Sequence, residues 1–98
     1  MTQELLNKIR NFCSSLPVNK VWLFGSHATG EDTENSDIDL LVQYSDGFRP
    51  GLLGISKIVI QLEELTKKNI DWVEEGTLYP KIEDNISTTK IIIFERKP

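Results

Sequence analysis

The chain has 98 residues, 39 % hydrophobic and 27 % charged, proportions that support a small folded domain and exclude a disordered or collagen-like chain. Lys and Arg total 11 against 15 Asp and Glu, a formal charge of −4, so direct nucleic-acid binding through clustered cations is not expected. Cys13 is the single cysteine, which excludes an internal disulfide; no apolar run approaches the roughly 20 residues of a membrane span, and the expected location is the cytoplasm.

Leu5, Ile9, Phe12 and Leu16 recur at helical spacing, widened by Leu6 and Cys13, which predicts a helix over about Gln3 to Ser15, closed by Pro17. Val21 to Phe24 reads as a buried strand that ends at Gly25 in a polar turn. A second strand is expected over Asp37 to Tyr44, with Ile38, Leu40 and Val42 on its apolar face. The loop Ser45 to Gly51 leads into a helix carrying Leu52, Ile55, Ile58, Val59, Leu62 and Leu65 toward a sheet, with Glu63 and Lys67, and Glu64 and Lys68, spaced to pair on its outer side. Ile70 to Val73 reads as a third strand, Pro80 opens a short helix to about Ile86, and Lys90 to Glu95 is strand-like. The class is α/β or α+β, with a mixed sheet of about four strands. Residues 1–98 are expected to form one domain around one core.

The chemistry is concentrated between Gly25 and Val42. Residues two apart on a strand share a face, so Asp37 and Asp39 are expected to project together, with Cα atoms roughly 6.5–7 Å apart. Aspartate is depleted in strands and like charges repel, so a bound cation is a better reason for the pair than folding is. The alternative is two solvated charges at a strand entrance. Carboxylates suit Mg²⁺, and two such ions serve phosphoryl or nucleotidyl transfer. Asp71, between Ile70 and Trp72, is the candidate third carboxylate; the alternative is an exposed residue of an edge strand. Gly25 permits close backbone approach, and the amides of the turn with the Ser26 hydroxyl suit a triphosphate. A Walker pattern is absent.

Gly25-Ser26, ten intervening residues and Asp37-x-Asp39 together resemble the DNA polymerase beta nucleotidyltransferase superfamily, and in length its minimal (MNT) branch. The resemblance extends from the leading helix to the strand with Asp71 and implies a palm-like nucleotidyltransferase fold. It also implies that Asp37 and Asp39 bind Mg²⁺, that Asp71 completes the triad and helps activate the acceptor hydroxyl, and that Gly25 and Ser26 hold the triphosphate of ATP. MNT proteins resemble antitoxins paired with a HEPN-domain toxin. The implied reaction is transfer of AMP to a toxin hydroxyl, often a tyrosine. The alternative is neutralisation by binding alone, with a relic nucleotide site. One departure favours it, since Thr29 stands where many members carry Arg, and Arg49 and Lys57 are the candidates to replace that cation. His27 reads as a turn residue, Glu31, Asp32 and Glu34 as a solvated loop, Cys13 as a buried inert thiol, and Trp22 and Trp72 as core.

Overall fold

The computed structural model describes residues 1–97. Helix α1 (Gln3–Ser14) starts where the Thr2 hydroxyl accepts the Leu5 amide at 3.1 Å, and its Ile9 and Cys13 are buried. Strand β1 (Val18–Phe24) begins right after Pro17, earlier than its apolar run suggests, because Val18 joins the ladder opposite Tyr44. The turn after Gly25 is a four-residue helix, α2 (Ser26–Thr29). Strand β2 (Ile38–Tyr44), helix α3 (Gly51–Thr66), strand β3 (Ile70–Glu74), helix α4 (Pro80–Ser87) and strand β4 (Ile91–Glu95) follow.

The sheet order is β3-β2-β1-β4, with β2 and β3 parallel and the other neighbours antiparallel. A parallel neighbour needs a crossover, and α3 supplies it. The core lies between this helix, α1 and one sheet face: Ile9, Cys13, Ile58 and Leu62 meet Val18, Val21, Leu23, Ile38, Leu40, Val42, Ile70 and Ile93. Period-2 alternation therefore turns Asp39 and Leu41 to the opposite face. Trp72 joins the core rim and donates its indole N–H to the Tyr44 hydroxyl at 2.9 Å. Trp22 is half-buried beneath the Lys90 ammonium, 4.3 Å from the ring centre.

Helix α3 departs from its sequence reading at both ends. Leu52 is 82 % exposed and Leu65, also expected to face the sheet, is exposed as well, because the buried line of the helix runs through Ile58, Leu62 and Thr66. At the other end the helix stops at Thr66 and Lys67 turns left-handed (φ 58°), so the expected Glu63–Lys67 and Glu64–Lys68 pairs do not form among the described residues. Glu63 instead accepts the Ile70 amide at 3.0 Å, and Lys68 donates to the Glu34 carbonyl at 2.8 Å.

Candidate active site

Parallel pairing sets Asp39 of β2 directly beside Asp71 of β3, on the face away from α1 and α3. The two carboxyls are within hydrogen-bonding reach of each other. Burial, followed by the contact with Asp71 and the charges of Asp71 and Asp37, raises the Asp39 pKa from 3.8 to about 6. Asp37 stands one residue before the ladder, since β2 begins at Ile38 rather than at Asp37; it is exposed but near enough for its charge to act on Asp39.

None of the three carboxylates has an ion-pair partner among the described residues. Nor do three acidic, histidine or cysteine side chains among those residues form a ready-made metal cage. Such an open set fits Mg²⁺, which is commonly held by one or two carboxylates and completed by substrate phosphate oxygens. Like charges crowded without a protein cation are what a divalent ion would relieve.

Gly25 adjoins Asp39. Its backbone (φ 71°, ψ −152°) lies in a region open essentially to glycine alone. A Cβ built there would overlap Oδ2 of Asp39 and stand 3.1 Å from its Cγ. The requirement for glycine therefore comes from the Asp39 side chain as well as from any ligand. The carbonyl of Gly25 accepts the amides of Ala28 and Thr29 at 3.1 and 3.2 Å, which closes α2 and leaves the first amides of the turn without an acceptor behind them. Ser26 is half-buried beside them.

His27 is buried, with Nδ1 3.4 Å from Oδ2 of Asp32, so it is more than a surface turn residue. Thr29 is exposed and its hydroxyl bonds Glu31 at 2.9 Å. Arg49 does not replace the missing cation. It lines a groove with Tyr44 and Phe48, at the end of β2 five residues, or roughly 17 Å, from Asp39. Lys57 is exposed on α3. The cations that do approach the acidic end are Lys67 and Lys68, which line a cleft of about 300 Å³ with Asp37 and Asn69. Helical spacing assigned them to pairs within α3; the usable signal was their place just ahead of β3, whose first residue pairs with the first residue of β2.

The family model described as Polymerase beta, Nucleotidyltransferase matches residues 7–98. The chain belongs to this nucleotidyltransferase family. The resemblance carried by Gly25-Ser26 and Asp37-x-Asp39 is thus borne out. Among relatives of this nucleotidyltransferase is a Methanocaldococcus jannaschii protein provisionally named a protein adenylyltransferase, 32 % identical over 83 residues, which are 85 % of this chain and 87 % of the relative. The fold is similar to that of a toxin–antitoxin crystallised with AMP-PNP (TM-score 0.78, 20 % identity, covering 94 % of this chain and 74 % of the other). It is also similar to a structure described as a tri-AMPylated Shewanella oneidensis HEPN toxin in complex with MNT antitoxin (TM-score 0.72, 18 % identity, 98 % and 74 %). Among the described residues no helix is long and apolar enough to cross a membrane.

Proposed function

We propose that this nucleotidyltransferase is an antitoxin that moves AMP from ATP to a hydroxyl, a tyrosine, of a HEPN-type toxin. The observation that carries the reading is the juxtaposition of Asp39 and Asp71, crowded and without a protein cation, against a Gly25 that has no room for a side chain. The names of the relative and of the two similar structures support the adenylyl donor and the protein acceptor.

Asp37, Asp39 and Asp71 would hold Mg²⁺, two ions in all, which when bound stabilise the charge that develops on the phosphate oxygens and the leaving group. The first amides of α2 and the Ser26 hydroxyl bind the triphosphate. Asp71 is exposed on an edge strand, where an acceptor on another protein can reach it. The acceptor oxygen attacks the α-phosphorus in line, its proton passes to the Asp71 carboxylate, the bond to the bridging oxygen breaks, and pyrophosphate leaves.

The test is the intact mass of the co-purifying partner before and after incubation with Mg²⁺ and ATP, with the Asp37→Asn/Asp39→Asn variant as control. A gain of one or more AMP units that the variant does not produce is the expected result. Thr29, which bonds Glu31 and offers no cation, favours a second reading, inhibition by binding alone. A stable complex that never gains mass would establish that reading in its place.

A further inference from the structure

His27 follows the Gly25-Ser26 turn directly, and its side chain is only 2 % exposed. Its two ring nitrogens are the only buried side-chain nitrogen or oxygen atoms without a hydrogen-bond partner among the described residues. Burying an unpaired imidazole is unfavourable, and a leucine would fill much of the same space without that cost. Packing therefore does not explain the residue.

Nδ1 faces Oδ2 of Asp32 at 3.4 Å, within ion-pair range but outside hydrogen-bond alignment, and the same oxygen stands 3.7 Å from the α-ammonium of Met1. Asp32 lies in the loop that joins α2 to Asp37 and Asp39, so this contact spans the two motifs. Lys68 holds the same loop from α3's end through the Glu34 carbonyl. His27, Asp32, Glu34 and Lys68 line one cleft of about 420 Å³ with Met1 and Leu5.

We propose that His27 is a positioning residue for nucleotide binding. Its Nδ1–H donates to Asp32, which fixes the loop against the Gly25-Ser26 turn and sets the turn amides and Asp37 in place for a triphosphate. The proposal rests on the reading of this end of the sheet as an ATP site.

Titration of the full chain with AMP-PNP and Mg²⁺ by calorimetry tests it, with a melting curve for each variant. His27→Leu is expected to melt no lower than wild type and to bind about tenfold more weakly, since positioning is lost while packing is kept. Asp32→Ala should lose the same factor, and the double variant should be no weaker than either single one. In His27→Asn an amide nitrogen can take the place of Nδ1, and binding should return to within about threefold of wild type. Wild-type affinity in His27→Leu, or losses that multiply in the double variant, would overturn the proposal. If His27→Leu does not fold, Asp32→Ala decides: weaker binding at an unchanged melting temperature supports the role, and unchanged binding refutes it. Failure of the wild type itself to bind would overturn the ATP-site reading, and this proposal with it.

Discussion

Replacing Asp39 by Asn should make the protein more stable at neutral pH when no divalent cation is present. The carboxyl has a folded pKa of about 6 against an unfolded value near 3.8, so above pH 6 its ionisation costs the folded state more than the unfolded one. At roughly 1.4 kcal/mol per unit the penalty has a ceiling of about 3 kcal/mol. Asp39 is only partly buried, and solvent screening reduces this to about 1–2 kcal/mol. Because the folded state binds the extra proton between pH 3.8 and 6, the penalty is full above that window, shrinks as pH falls through 6, and vanishes below 3.8. Urea denaturation of both proteins in EDTA at pH 8, 7, 6, 5 and 4 measures it. The variant should lead by about 1–2 kcal/mol at pH 8, or roughly 5–10 °C in melting temperature for a domain of this size, and converge with wild type near pH 4. Added Mg²⁺ should stabilise wild type more than the variant. If Asp39→Asn is no more stable at pH 8, or its lead does not close on acidification, the claim that crowded carboxylates strain this end of the sheet is wrong.

Other expectations follow from single contacts. Gly25→Ala combines a glycine-only backbone with overlap on the Asp39 carboxyl, whereas Gly30→Ala (φ 83°) meets nothing within 4 Å. By equilibrium denaturation Gly30→Ala should cost about 1–2 kcal/mol, and Gly25→Ala more, with AMP transfer lost. Burial pushes the Cys13 thiol up to about 12. A thiol reagent at pH 8 should therefore label the native protein at least about 100-fold more slowly than the unfolded chain. Leu62 is fully buried under the sheet, and Leu62→Ala should cost about 2–5 kcal/mol, read from denaturant midpoints.

The order of elements was legible because each carries its own local signal, such as the stripe of α1, Pro80 at the start of α4 and the alternation of Ile38, Leu40 and Val42. The contact that gives the candidate site its character was not. Nothing along the chain says that β3 pairs parallel to β2 in the register that sets Asp71 against Asp39, because register is a property of two segments and their crossover. The sequence suggests that Gly25 lets the backbone come close to a ligand; the group that the fold brings against it is the Asp39 side chain, whose location depends on that same packing. Periodicity equally could not tell that Leu52 is left exposed, since an apolar residue keeps helical spacing whether or not anything covers it. Lys67 and Lys68 were misassigned for a local reason: the left-handed Lys67 ends α3 one residue before the spacing argument would have paired it.

The sheet order also shapes how the molecule assembles. Strand β1 is flanked by β2, the next strand along the chain, and by β4, the fourth of the four described strands. The β4 end is fastened by Arg96, whose guanidinium donates to the carbonyls of Ser14, Leu16 and Val18 while its amide bonds Asn19. An emerging polypeptide can form α1 and the β1–β2 ladder early, but β1 keeps an open edge until residues 91–96 clear the ribosome. Pairings this distant in sequence form late and slowly. Over that interval the open edge of β1 is exposed to edge-to-edge association, and closure of the sheet comes only after the β1–β2 ladder that carries Asp39 has formed.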